Sequence, residues 1–161
     1  MKKLTFFALA ALVAAPAAAD PREASPNDPT CRVGGKPAVL VRVTGLKNGA
    51  GKVRVQAYGA RDFLKKGAWA GRVDVPLAGR RALDICLPLP IAGSYALAVR
   101  HDANANKKSD WNDGAGFSRN PRLGLTSKPS FTETAIKVGN APARVSVVMN
   151  YRQGLKVGPR S

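Results

Sequence analysis

The chain has 161 residues and a formal net charge of +16, from 26 Lys and Arg residues against 10 Asp and Glu residues. A chain of this length predicts one domain with one hydrophobic core. After the first 19 residues, no segment is apolar over the roughly 20 residues that cross a bilayer, so no later transmembrane segment is expected. The strongly basic balance predicts anionic components of the cell envelope as partners.

The N-terminus has the organisation of a secretory signal peptide. Lys2 and Lys3 precede the apolar stretch Leu4–Ala15, and small residues at Ala17–Ala19 form a cleavage site before Asp20. The alternative, a membrane anchor, is disfavoured because about a dozen apolar residues are too few to span a bilayer. Residues 1–19 are therefore expected to be removed, and the mature protein is expected to be periplasmic or secreted.

Both ends of the mature chain are predicted to lie outside the core. Residues 20–37 are rich in proline and read as a flexible leader, and residues 152–161 form a basic, frayed tail. Cys31 in the leader and Cys86 at the end of a strand are predicted to form a disulfide, as expected for an exported even pair. A redox or metal-thiolate pair would need closer spacing, such as C-x-x-C.

The domain between residues 38 and 151 alternates apolar and polar residues with a period of two, which is typical of half-buried strands. Such runs cover residues 39–44, 51–59, 72–77, 82–87, 94–100, 130–138 and 143–151. About seven short strands without a long helix predict an all-β fold, an antiparallel β-sandwich of immunoglobulin-like or prealbumin-like architecture, with a small barrel as the alternative. The predicted inward faces include Val41, Val55, Ile85, Leu97 and Val147.

Two details of the strand pattern lead to further expectations. The runs 39–44 and 51–59 are predicted to form an antiparallel hairpin across a glycine-rich turn. The segment 61–71 breaks the alternation and contains Phe63, Leu64 and Trp69. These side chains either cap the core or form an exposed binding patch.

The loop after residue 100 has the spacing of a calcium-binding loop. Oxygen donors fall at loop positions 1, 3, 5, 7, 9 and 12, which are Asp102, Asn104, Asn106, the carbonyl of Lys108, Asp110 and Asp113. Position six, which favours glycine, is Lys107, and two lysines inside the loop oppose a cation, so weak binding is expected. The alternative is an ion-free loop in which Asp and Asn side chains hydrogen-bond the backbone.

Catalytic motifs have little support in the sequence. His101 precedes Asp102, but neighbours on a strand point to opposite faces, so a base and its orienting carboxylate are not expected here. A lone His at a strand end indicates a structural role. Motifs for a nucleophilic serine, a zinc protease or a phosphate-binding loop are not present in the sequence, and no catalytic residue is assigned.

The segment Gly93-Ser-Tyr-Ala-Leu-Ala-Val-Arg-His-Asp102, followed by alternating Asn, a loop Asp and Gly116-Phe-Ser118, resembles the exported bacterial family known as domain of unknown function 2141. The resemblance covers roughly residues 39–151, with H-D-x-N-x-N as its specific part. It implies a secreted or periplasmic β-sandwich and no established activity. Members usually have glycine and a longer acidic stretch in this loop, where this chain has Lys107 and a short 110–116 segment.

Three functions are compatible with this sequence to different degrees. The first is a non-catalytic binding or structural module of the cell envelope, with Arg119, Arg122 and Lys128 beside the loop. The alternative is an enzyme that acts on envelope polymers through the Asp-rich loop, but most acids lie in one loop rather than on facing walls. Nucleic-acid binding rests on net charge alone and is not expected.

Overall fold

The structure is a computed structural model that describes residues 28–160, so the expected signal peptide lies outside the described residues. The described part contains ten strands: β1 (Ala38–Thr44), β2 (Lys52–Tyr58), β3 (Gly71–Pro76), β4 (Leu83–Pro88), β5 (Gly93–Asp102), β6 (Gly114–Phe117), β7 (Ala135–Val138), β8 (Ala143–Val148), β9 (Tyr151–Gln153) and β10 (Lys156–Gly158). Its helices are short: α1 (Thr30–Val33), a 3-10 turn at Ala60–Asp62, and α2 (Phe131–Thr134). No helix in residues 28–160 has the length and apolar character to cross a membrane.

The strands form a β-sandwich, as the alternation predicts. The larger sheet has the order β3-β2-β5, and β5 pairs along its other edge with both β6 and β7 because it is ten residues long. The smaller sheet has the order β4-β1-β8. All pairings are antiparallel except that of β1 with β8, which is parallel.

The core lies between the two sheets. The five residues predicted to point inward, Val41, Val55, Ile85, Leu97 and Val147, are all completely buried. Burial of each such side chain stabilises the fold by roughly 1.5–3 kcal/mol relative to exposure. The prediction of inward faces from period-two alternation is therefore confirmed.

The predicted hairpin of β1 and β2 is wrong. β1 pairs with β4, where Val41 lies opposite Ile85, whereas β2 pairs with β3 and with β5, where Val55 lies opposite Val99. The connection 45–51 thus crosses from one sheet to the other, and Gly45 within it has a positive φ of 71°. Alternation specifies which face of a strand is buried, but it does not specify the partner strand.

The described parts of the leader and of the tail are more ordered than the sequence predicts. Residues 30–33 of the leader form α1, and the sulfur atoms of Cys31 and Cys86 lie 1.99 Å apart, which ties α1 to β4. The tail is not frayed, because β9 and β10 form a hairpin across Gly154, whose φ is 62°. Tyr151 at the start of this hairpin is 3% exposed and anchors it to the core.

The segment after β2 covers the outer face of the larger sheet rather than the core between the sheets. The Phe63 ring meets the rings of Tyr58, Phe117 and Phe131 edge to face, with centroid distances of 6.2, 6.4 and 6.0 Å. Leu64 follows in a left-handed conformation, with φ of 58°. This aromatic cluster borders a groove on the outer face, described below.

Candidate functional site

The Asp/Asn loop begins at the last residue of β5 and ends where β6 starts. Asp102 is still paired with Lys52 of β2 and is completely buried, whereas Asn104, Asn106 and Asp110 are in the solvent-facing part of the loop. Gly51 lies directly against the start of the loop, and a Cβ at this position would overlap the carbonyl oxygen of Asp102. The two ends of the loop are therefore fixed by the sheet.

Asp102 has one satisfied and one unsatisfied carboxylate oxygen. Oδ2 accepts a hydrogen bond from the backbone N–H of Lys107 at 2.9 Å and lies 3.5 Å from Nη2 of Arg100. Oδ1 is buried and has no hydrogen-bond partner within residues 28–160. Because a buried carboxylate oxygen without a partner is costly, Oδ1 is a strong candidate for a bound cation or water.

Asn104, Asn106 and Asp110 each form a turn with the backbone two residues further on. Their Oδ1 atoms accept hydrogen bonds from the N–H groups of Asn106 (3.2 Å), Lys108 (2.8 Å) and Asn112 (2.9 Å), respectively. The side-chain amides of both asparagines also donate to Oδ2 of Asp110, at 3.0 and 2.9 Å. The three predicted ligands are thus brought together, but the amides present their nitrogens to Asp110.

Asp113 closes the loop. Its Oδ1 accepts from the N–H of Ala103 and its Oδ2 from the N–H of Asp110, both at 3.4 Å. Burial raises the pKa of Asp113, and the nearby charges of Asp110 and Asp102 raise it further. Hydrogen bonds from the Asn112 N–H and from the two asparagine amides lower the pKa of Asp110. The Asp113 carboxylate therefore lies close enough to Asp110 and Asp102 to be repelled by both charges.

The side chains of the loop are of the kinds that bind a hard cation, but they are not arranged around a common point as metal ligands are. Carboxylate and amide oxygens are the ligands that calcium prefers, and all five predicted side-chain ligands are of these two kinds. In the described part of the chain, no three His, Cys, Asp or Glu side chains converge as metal ligands. The predicted ligand of Lys108 is its carbonyl oxygen, whereas the contact seen at this residue is the hydrogen bond from its N–H to Oδ1 of Asn106. Apart from Oδ1 of Asp102, the predicted side-chain oxygens accept hydrogen bonds from N–H groups of the loop itself, which is the ion-free arrangement considered from the sequence.

Lys107 occupies the position where a calcium loop favours glycine. Its φ is 67°, in the left-handed region that side chains with a Cβ rarely adopt, and Ala105 two residues earlier has a φ of 56°. The sharp turn expected at loop position six is therefore present, and a lysine makes it. Both residues retain strain that glycine would relieve.

The His101 ring has a hydrogen-bonding partner at each of its two nitrogens. It is completely buried; Nδ1 lies 2.6 Å from the Tyr151 hydroxyl and Nε2 lies 2.9 Å from the Ala50 carbonyl oxygen. Burial lowers the pKa of His101. The hydrogen bond to Ala50 raises this pKa and the positive charge of Lys47 lowers it, but burial has the largest effect. Both ring nitrogens are engaged, so the imidazole is not placed as a catalytic base.

A groove of about 490 Å³ lies beside the loop, on the outer face of the larger sheet. Its floor includes Ala98, Arg100 and Ala115, and its walls are the loop residues 109–113 and the segment 123–129. The indole of Trp111 is 74% exposed, and the Arg152 guanidinium stacks on it with 3.8 Å between Cζ and the ring centroid. Sequence reasoning missed Trp111 and Arg152, because the contact joins the loop to the terminal hairpin.

The three basic residues expected beside the loop take different positions. Lys128 lines the groove, whereas Arg119 donates to the carbonyl oxygen of Thr132 at 3.2 Å. Arg122 is exposed and does not line the groove. Only one of the three is therefore part of the surface next to the loop.

Comparison with known proteins agrees with the resemblance found in the sequence. The profile of a family described as uncharacterized proteins conserved in bacteria, domain of unknown function 2141, matches residues 41–146. This span contains the Asp/Asn loop, β6 and the groove walls. No curated protein and no solved structure matches the chain. Because the match covers well over half of the sequence, the chain belongs to this family of uncharacterized bacterial proteins.

Proposed function

We propose that the protein is an exported, non-catalytic binding or structural module of the cell envelope, and that its Asp/Asn loop binds calcium weakly. The observation that carries the proposal is Oδ1 of Asp102, which is buried without a partner while Oδ2 is held by the N–H of Lys107. Asp102 is the first position of the loop and Lys107 the sixth, so the carboxylate is oriented by the turn that a calcium loop requires.

The arrangement supports weak affinity. Asp102, Asp110 and Asp113 supply three negative charges, but Lys107 and Lys108 belong to the same loop, and Arg100 lies 3.5 Å from Oδ2 of Asp102. A dissociation constant of about 0.1–1 mM, the range of extracellular calcium modules, is expected. Calcium tolerates irregular coordination better than magnesium, which demands near-ideal octahedral geometry, so calcium is the better match for this irregular loop.

The distribution of acids favours a module over an enzyme acting on envelope polymers. A glycosidase needs two carboxylates flanking the bond that it cleaves. In the described residues, the acids that line the groove are Asp110 and Asp113, and both belong to the same wall. Export is supported by the Cys31–Cys86 bridge, and the charge of +16 favours anionic envelope components as partners.

Calorimetric titration of chelator-treated protein with calcium tests the proposal directly. Wild type should bind one calcium ion at sub-millimolar to millimolar concentration and bind magnesium more weakly. Asp102→Asn keeps the size of the side chain and should abolish binding, whereas Asp84→Asn makes the same change in an exposed ion pair on the other sheet and should not. Absence of calcium binding to wild type would refute the metal site, and release of sugar from envelope polysaccharide would refute a non-catalytic role.

A further inference from the structure

The groove on the outer face of the larger sheet is a second candidate site, separate from the buried oxygen of Asp102. Its volume of about 490 Å³ lies within the range of small-molecule sites, roughly 300–1,000 Å³. The floor is rigid because Ala98 and Arg100 belong to β5, which is hydrogen-bonded to β2 and to β6. The floor of the groove is therefore preformed, whereas one of its walls, residues 109–113, belongs to the loop of the proposed calcium site.

Apolar side chains form a large part of the lining of this groove. Within residues 28–160, five large hydrophobic side chains are exposed, and two of them, Trp111 and Leu125, line the groove from opposite walls. Leu64 and Phe117 line it as well. Exposed apolar side chains that converge on one concave surface, rather than being scattered, indicate contact with an apolar ligand.

The groove also contains cationic groups with donors to spare. Nε of Arg100 is buried and has no hydrogen-bond partner among the described residues, and Nη2 makes only long contacts, 3.4 Å to the Lys107 carbonyl oxygen and 3.5 Å to Asp102. Lys128 and Arg152 also line the groove, and neither forms a salt bridge with an acid of the described chain. Stacking on Trp111 and a 2.8 Å hydrogen bond from Nε to the carbonyl oxygen of Gly154 hold the Arg152 guanidinium in place, and its two terminal nitrogens remain as donors for an anion.

We propose that this groove binds an amphipathic organic anion, with its apolar chain against Trp111, Leu125 and Phe117 and its carboxylate or phosphate head beside Arg100. The three cations of the groove outnumber its two acids, and Asp110 already accepts hydrogen bonds from Asn104 and Asn106. This site goes beyond the proposed calcium module, because none of its contacts with the anion requires the ion.

The test uses four probes that share a twelve-carbon chain: dodecanoate, dodecyl phosphate, dodecyl maltoside and dodecyltrimethylammonium, each below its micelle concentration. Binding to the full mature protein is measured in chelator by calorimetry and by tryptophan fluorescence, to which both Trp69 and Trp111 contribute. The two anions should bind although calcium is chelated, and the neutral and cationic probes should bind about tenfold more weakly or not at all. Equal affinity for all four probes would overturn the proposal.

Two variants with matched controls locate the site. Arg100→Gln and Leu125→Asp should each weaken dodecanoate binding about tenfold or more. Arg81→Gln removes the same charge from an exposed turn, and Leu155→Asp changes a leucine that is 83% exposed outside the groove, so both should bind as wild type does. If all four variants bind equally, the groove is not the site.

A vesicle arm separates a free amphiphile from a membrane surface. Anionic phospholipid vesicles are sedimented with wild type and with Leu125→Asp. Loss of binding to both vesicles and dodecanoate in Leu125→Asp supports the groove as the site for the shared chemistry. If wild type and Leu125→Asp both sediment with the vesicles but neither binds dodecanoate, the proposal is overturned and the vesicle contact is assigned to the basic surface of the protein. Arg81→Gln and Leu125→Asp should both still bind calcium, so that loss of anion binding in Leu125→Asp can be distinguished from failure of the proposed calcium site.

Discussion

Nδ1 of His101 lies 2.6 Å from the hydroxyl oxygen of Tyr151, and both residues are buried where the Asp/Asn loop meets the core. Burial raises the pKa of Tyr151, so its hydroxyl stays protonated and donates to His101, while it accepts from the N–H of Lys47 at 3.2 Å. The neutral imidazole then donates from Nε2 to the carbonyl oxygen of Ala50. This chain of bonds ties β5, the β1–β2 connection and the terminal hairpin together beneath the loop.

Replacement of Tyr151 by Phe tests the contribution of this chain to stability. The variant leaves Nδ1 of His101 and the N–H of Lys47 without their partner, which should lower the free energy of unfolding by about 1–3 kcal/mol. Urea unfolding measures the change. Tyr58→Phe is the matched control, because the Tyr58 hydroxyl makes no hydrogen bond within the described residues. An equal loss in the two variants would show that the hydroxyl itself contributes little.

Gly116 in β6 is expected to tolerate no side chain. A Cβ there would lie 2.6 Å from Cγ1 of Val147 and 2.9 Å from the carbonyl oxygen of Val148. Gly116→Ala should therefore lower the free energy of unfolding by about 1–3 kcal/mol through overpacking. Gly59→Ala serves as control, since its Cβ meets nothing within 4 Å and its φ is −75°. A Gly116→Ala protein as stable as wild type would contradict this packing.

Loss of the Cys31–Cys86 bridge should destabilise the fold. The bridge joins residues 55 apart in sequence and ties α1 to β4. The double variant Cys31→Ser, Cys86→Ser is expected to lose about 2–5 kcal/mol of unfolding free energy, as is typical for a native disulfide. Reductant should destabilise wild type by a similar amount and leave the double variant unchanged. If reductant does not alter the unfolding of wild type, the bridge does not support the fold.

The ion pairs of Asp74 predict a pH dependence of stability. Burial alone would raise the pKa of Asp74, but hydrogen bonds and charges from Arg54 and Arg72 outweigh it and hold the pKa below its usual range. A carboxyl with a lowered pKa stabilises the fold above its unfolded pKa of about 4, and this stabilisation is lost as pH falls through the folded-state value. Stability should therefore fall with acidification below about pH 4.

Urea unfolding between neutral pH and about pH 2 checks this prediction for Asp74→Asn. The variant should be less stable than wild type at neutral pH, and the difference should shrink as the solution is acidified. Asp84→Asn disrupts only the exposed pair with Arg42, so it should change stability by less than about 1 kcal/mol. A constant difference between wild type and Asp74→Asn across the whole pH range would count against the role of Asp74.

The sequence predicts the faces of the strands better than their partners. Val41 and Val55 are both inward because alternation is a local property, but their strands belong to different sheets because pairing depends on distant residues. β6 escaped prediction since Gly-Ala-Gly-Phe has no apolar alternation. Its two glycine positions have no room for a side chain, because Tyr151 and Val147 of other strands pack against them.

The same distinction holds at the candidate site. The spacing of Asp102 and Lys107 predicts the turn that the structure contains, because those contacts are within one loop. The partner of His101 is Tyr151, fifty residues away, and the groove combines the loop with the segment 123–129 and the terminal hairpin. No local sequence pattern specifies such contacts, so they could be identified only from the three-dimensional structure.

Thermal unfolding in chelator and in calcium tests the central claim, that the loop binds this ion. At a calcium concentration about tenfold above the dissociation constant, mass action should stabilise wild type by about 1.4 kcal/mol and raise its Tm by about 3–6 °C. Asp102→Asn should show no calcium-dependent shift. Lys107→Gly should show a larger one, because it removes a positive charge and supplies the residue suited to a φ of 67°.

Ala78→Gly is the control for backbone strain, since Ala78 also has a positive φ, of 48°, but lies outside the loop. It should alter Tm equally in both media, and sodium chloride of matched ionic strength should not replace calcium. The calcium-dependent rise in Tm should be largest for Lys107→Gly, smaller for wild type and absent for Asp102→Asn. Identical Tm values in chelator and in calcium for both wild type and Lys107→Gly would show that the loop is an ion-free polar turn.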